Sequence, residues 1–200
     1  MALQPNLVLG AIGVAIALIT GATVATNWRD LTGLRDWEAS FQTDHADFPV
    51  RSVTLGAGAK RTEQYNVTHL NATTLHVDLT WQDPSFPQTS PDVTLRVLDP
   101  EKKVRGQGTH RGGRAGIAID VVLVSAEDAP NGTHRFSARD DPHAVFDQRW
   151  PTSEKGHGIW TLEIANTGTG TQAGSIYYTL RVGYEYYAGT LREVATGASK

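Results

Sequence analysis

GIWTLEIANTGTGTQAGSIYYTLRV, residues Gly158–Val182, decides the fold. Trp160, Leu162 and Ile164 are separated by Thr161 and Glu163. After a run of Gly, Thr, Asn and Gln the beat resumes as Ile176, Tyr178, Leu180, Val182 and Tyr184. Successive side chains of a strand point to opposite faces, so a period of two marks a strand with one buried face. Two such runs joined by a Gly-rich connection read as an antiparallel hairpin. Trp160, Leu162, Ile164, Tyr178, Leu180 and Val182 are assigned to the core. Thr161, Glu163, Thr179 and Arg181 are expected to face solvent, as is the connection from Asn166 to Gly174.

The same period recurs upstream. Leu75, Val77, Leu79 and Trp81 oppose His76, Asp78 and Thr80, and Val93, Leu95 and Val97 alternate with Thr94 and Arg96. Asp83-Pro84 and Asp99-Pro100 break the chain after these runs. Ile117 to Val124 reads as a more fully buried strand, Val50–Leu55 and Arg61–Thr68 as weaker ones, and Ser125–Gly158 as a stretch of turn formers. About seven to nine one-sided strands predict a mainly β protein, an antiparallel two-sheet β-sandwich over 49–187, with a polar tail over 188–200.

The N-terminal part has a different character. Leu7–Ala25, LVLGAIGVAIALITGATVA, carries no charge and has the length of a membrane span. A retained anchor over 1–26 is the favoured reading, and a cleaved signal peptide competes with it; MALQPN supplies no Lys or Arg for the basic start of a signal. Gly13, Ala17 and Gly21 share one helical face, a spacing that lets membrane helices approach closely and self-associate. Trp28, Leu31, Leu34, Trp37 and Phe41 continue at three- and four-residue spacing, so a helix is expected to run on to about Phe41 within a juxtamembrane segment over 27–48. Arg29 and Arg35 formally favour a cytoplasmic C-terminal side, but long domains translocate largely regardless of charge. Three sequons, at Asn66, Asn71 and Asn131, argue for glycosylation and an extracytoplasmic domain on a single-pass membrane protein.

Other classes are disfavoured. The 200 residues carry a formal charge of -3, which argues against nucleic acid as a partner, and there is no cysteine for disulfides or thiolate metal sites. The one locally basic stretch, RGQGTHRGGR from Arg105 to Arg114, reads as a flexible loop. No G-x-S-x-G, H-E-x-x-H, P-loop or dinucleotide turn is present, and the seven histidines fall at no metal-ligand spacing. His76, on the polar face of a strand, reads as a solvated residue.

HVDLTWQDP, a strand followed by LDPEKKV, GIWTLEIANTGTG and YYTLRV, in that order, resemble the bacterial and archaeal pre-peptidase C-terminal domain. GIWTLEI with its Gly/Thr loop also resembles the P domain of subtilisin-like convertases. The resemblance covers roughly Arg61 to Tyr184 and implies a jelly-roll-like sandwich of the kind that accompanies a secreted hydrolase as an accessory. Relatives in both families can bind Ca²⁺. Hard carboxylate oxygens suit that ion, and Asp83, Asp92 and Asp99 flank loops that a sandwich could bring to one edge. Asp140, Asp141 and Asp147 form a second acidic group. No D-x-D-x-D-G loop is present, so caps and Asx turns are the competing role of these acids.

The expected function is therefore that of a non-enzymatic structural, adhesive or partner-binding subunit of the cell envelope, contacting proteins, glycan or membrane. A pilin-like or archaellum-associated filament subunit is the alternative, although MALQPN lacks a basic-Gly processing site. An accessory module of a secreted hydrolase system is a further one. A hydrolase using Asp140, Asp141 or Glu154 would rest on acids in a loop alone.

Overall fold

The computed structural model describes residues 33–84, 91–125, 128–168 and 174–194. The described residues form ten strands: β1 (Arg35–Asp47), β2 (Arg51–Leu55), β3 (Lys60–Val67), β4 (Ala72–Gln82), β5 (Asp92–Leu98), β6 (Val104–Arg111), β7 (Arg114–Val122), β8 (Gly132–Ala138), β9 (Gly158–Asn166) and β10 (Ile176–Glu193). One helix, α1 (Pro142–Arg149), lies between β8 and β9. The chain forms two compact units, and their described parts are 33–40, 133–150 and 190–194 in the smaller and 41–84, 91–125, 128–132, 151–168 and 174–189 in the larger.

In the larger unit β10 pairs antiparallel with β4 on one side and with β2 on the other, and β4 pairs with β7. The second sheet has the order β3-β9-β5-β6. The hydrophobic core lies between these sheets. Leu75, Val77, Leu79 and Trp81 of β4 and Ile176, Tyr178, Leu180 and Val182 of β10 meet Val93, Leu95 and Val97 of β5 and Trp160, Leu162 and Ile164 of β9. The register that puts Leu79 opposite Leu180 and Ile117, and Leu95 opposite Ile164, keeps every alternating set on one face. A one-residue slip would expose all of them.

Several expectations need correction. Arg35–Phe41 is not helical: it is the first half of the strand β1, with Ala39 and Phe41 buried. Pairing with β10 decides this, extended just past its end by Val194 N–H donating to Asp36 O at 2.8 Å, because tertiary pairing outweighs a weak helical spacing. Leu7–Ala25, with Gly13, Ala17 and Gly21, lies outside the described residues. Among the described residues no helix is long and apolar enough to cross a membrane.

RGQGTHRGGR is not a loop but most of β6, the turn after it and the start of β7. Its glycines mark a close approach. A Cβ on Gly106 or Gly108 would meet Cγ2 of Ile119 or Ile117 at 2.5 Å, so β6 reaches β7 only because these positions carry no side chain. β7 is half-buried rather than fully buried: Ile117 and Val121 are inside and Val122 is exposed.

The turn-rich Ser125–Gly158 contains β8 and α1, both in the smaller unit apart from Gly132. Asp141 caps α1 by accepting from His143 N–H and Ala144 N–H at 2.9 and 3.2 Å. β10 continues through the expected tail to Glu193, where Arg35 pairs with Glu193 at 2.7 Å. In the same unit Glu38 is 7 % exposed at its side chain and holds Arg192 and Arg135.

Candidate functional site

The outer face of the β2-β10-β4-β7 sheet follows from the alternation that builds the core. His76, Asp78 and Thr80 of β4 point away from Leu75, Val77 and Leu79. Arg181, Gly183 and Glu185 of β10 and Ala118 and Asp120 of β7 share that face by register: Asp120, His76 and Gly183 form one row, and Ala118, Asp78 and Arg181 the next. On the side of β10 away from β4, the end of β1 and residues 48–50 lie beside this face, tied down by Phe48 N–H donating to Val182 O at 2.9 Å. The result is a cleft of ≈ 520 Å³ in the larger unit, lined by His45, Asp47, Val50, His76, Asp78 and Asp120 among others.

Two local devices shape the cleft. A Cβ on Gly183 would collide with a carboxylate oxygen of Asp47 and approach the carbonyl of Ala46 at 3.3 Å, so the missing side chain is what lets Asp47 lie against β10. His76 stands between two acids, its Nδ1 2.8 Å from Asp120 Oδ1 and its Nε2 3.6 Å from Glu185 Oε1. His76 thus has a partner on a neighbouring strand, contrary to its reading as merely solvated. Sequence reasoning missed this group because its members are 44 residues apart or more, and only the strand register could have joined them.

The three metal candidates do not form one group. Asp92 and Asp99 stand at and just beyond opposite ends of β5, about 23 Å apart at ~3.3 Å per residue. Asp92 pairs with Arg111 at 2.9 Å, and Asp99 faces Arg105 at 3.8 Å while accepting from Lys103 N–H. Asp83 is buried, its N–H donating to Gly113 O at 2.5 Å. The structure therefore does not bring the three together, and among the described residues no group of three or more His, Cys, Asp or Glu is placed to hold a metal.

The sequon asparagines differ from one another. Asn66 is exposed on β3, and Asn131 is exposed immediately before β8. Asn71 is structurally engaged: at φ 63° its Oδ1 accepts from Ser153 N–H at 2.6 Å and its own N–H donates to Ser153 O at 2.8 Å.

Gly158–Val182 is not a hairpin: β9 pairs with β3 and β5 in one sheet and β10 with β2 and β4 in the other, so the Gly-rich connection crosses between the sheets. Of the side chains expected outside on these two strands, Arg181 is exposed and Glu163 and Thr179 are half-buried. Thr161 is buried, because Lys102 lies over it with Nζ 2.8 Å from Oγ1. The connection after β9 also begins buried: Asn166 is fully enclosed and its Nδ2 donates to Gly174 O at 2.7 Å. Inside the larger unit the hydroxyls of Tyr65 and Tyr178 are buried without a hydrogen-bond partner. Burial is the main cause that pushes the Tyr65 phenol up to about 12, with the Glu63 charge second, and burial raises Tyr178 as well.

No family model and no curated protein matches the chain. Among solved structures, an arabinose-bound MgGH51 α-L-arabinofuranosidase aligns over 74 % of this chain with 11 % identity and a TM-score of 0.31. The chain spans 23 % of that enzyme's length. A desmodium yellow mottle tymovirus chain aligns over 80 % of this chain and 93 % of its own, with 12 % identity and a TM-score of 0.30. A turnip yellow mosaic virus chain aligns over 81 % and 98 %, with 11 % identity and a TM-score of 0.30. The sandwich architecture rests on this chain's own two antiparallel sheets and the core between them.

Proposed function

We propose that this chain is a membrane-anchored, extracytoplasmic β-sandwich that serves as a non-catalytic structural or adhesive subunit of the cell envelope, with the outer face of the β2-β10-β4-β7 sheet as its contact surface. The observation that carries the reading is the cleft on that face, because concave sites with a few convergent polar groups are where proteins take their ligands. The uncharged Leu7–Ala25 supports the anchor, and the sequons at Asn66, Asn71 and Asn131 support the extracytoplasmic side. We read the two sheets as a jelly roll. Their orders, β2-β10-β4-β7 and β3-β9-β5-β6, send the chain from one sheet to the other at nearly every connection, which suits the plan of the pre-peptidase C-terminal and convertase P domains.

The test is a photo-crosslinking amino acid at Val50, 57 % exposed beside the cleft, in cells that make the full chain. A single envelope-protein adduct that disappears on Ala118→Lys, which places a long cationic side chain in the cleft, is expected. Adducts indifferent to Ala118→Lys, or an equal yield from a crosslinker at Thr62 on the opposite sheet, would remove the cleft from the function.

A further inference from the structure

We infer that the cleft takes a lysine or arginine side chain presented by an extended segment of a partner polypeptide. This rests on the outer sheet face being the contact surface and names the chemistry of what it contacts. Four carboxylates line the cleft, those of Asp47, Asp78, Asp120 and Glu185, against one guanidinium, Arg181. Among the described residues neither Asp47 nor Asp78 makes an ion pair, and His76 engages only one oxygen each of Asp120 and Glu185. Like charges gathered in a concavity repel, and a bound cation relieves that repulsion.

The shape selects among cations. A volume of ≈ 520 Å³ far exceeds a desolvated metal ion, and no three ligands converge to replace a hydration shell. A lysine or arginine instead brings an aliphatic stem, and Val50 at the rim and Ala118 on β7 offer it apolar surface while the acids receive its head. β7 is the last strand of its sheet, and Ala118 and Asp120 are exposed on it, so an extended segment can reach the cleft from this side.

The experiment measures binding of fluorescently labelled tetralysine to the full chain by anisotropy at low salt, with tetraglutamate as the opposite probe. Saturable binding of tetralysine alone is expected. Asp47→Asn with Asp78→Asn should weaken it about tenfold, and Glu154→Gln, outside the cleft, should not change it. Ala118→Lys, which leaves every acid in place and supplies the cleft with its own cation, should abolish binding even if the Asp variants prove unstable. Absent binding, equal binding by Ala118→Lys, or displacement of tetralysine by stoichiometric Ca²⁺ would each overturn the proposal. Failure of tetralysine with the Val50 adduct retained would leave the contact surface standing without this chemistry. Loss of the Val50 adduct with tetralysine binding intact would do the reverse.

Discussion

Trp160→Ala tests the packing of the larger unit most severely, because this side chain is 1 % exposed and its indole N–H donates to Gly156 O at 2.7 Å. A tryptophan buries about 200 Å². At ~25 cal/mol per Å² that is about 5 kcal/mol, which a compact unfolded chain reduces to about 3 to 4. Incomplete collapse around the cavity adds to the loss, so a total of about 3 to 5 kcal/mol is expected. Trp160→Phe separates the two contributions: most of the packing survives, and the lost bond to a half-buried carbonyl costs about 1 kcal/mol. Urea unfolding followed by far-ultraviolet circular dichroism measures both variants, with Thr62→Ala on the outer face as a control expected within about 0.5 kcal/mol. A loss below about 1 kcal/mol for Trp160→Ala, or a larger loss for Thr62→Ala, would refute the assignment of faces.

Gly108→Val should destabilise by about 1 to 3 kcal/mol in the same assay, since a Cβ there strikes Ile117. Asn71→Ala should cost about 1 to 3 kcal/mol by forfeiting the acceptor for Ser153 N–H at a positive φ. Tyr178→Phe should be neutral or stabilise by up to about 1 kcal/mol, because it removes a buried hydroxyl that has no partner. Tyr65 makes stability fall at high pH: its folded value is about 12 against an ordinary 10.0. The unfolded chain releases that proton first, so the contribution is full below pH 10 and lost as pH rises to about 12. Comparing melting temperatures of the native chain and Tyr65→Phe across that window should show a steeper decline for the native chain.

What the sequence disclosed was set by where side chains carry a signal. β4, β5, β9 and β10 were legible because large apolar residues alternate with polar ones along each, and burial follows that alternation. β6 was illegible because its glycines at 106 and 108 contribute no hydrophobic beat, although their smallness is what the packing requires. β1 misled because Leu34, Trp37 and Phe41 happen to match a helical spacing, whereas the hydrogen bonds that extend the chain come from β10, more than a hundred residues away. The candidate site was harder still. Its residues lie on the outward face of strands, where alternation predicts only polarity, and Asp47 reaches it because of an absent side chain at Gly183. Asp92 and Asp99 each flank a loop, but the seven-residue strand between them holds them apart.

Hydroxyl-radical footprinting of the full chain, in the envelope fraction of cells that make it and after purification, tests the contact surface most directly. The account predicts protection in the envelope sample at Val50, His45 and His76 around the cleft, with Val104 and Ile159, exposed elsewhere on the larger unit, labelled equally in both. Protection at Val104 and Ile159 with the cleft residues labelled alike in both samples would contradict it.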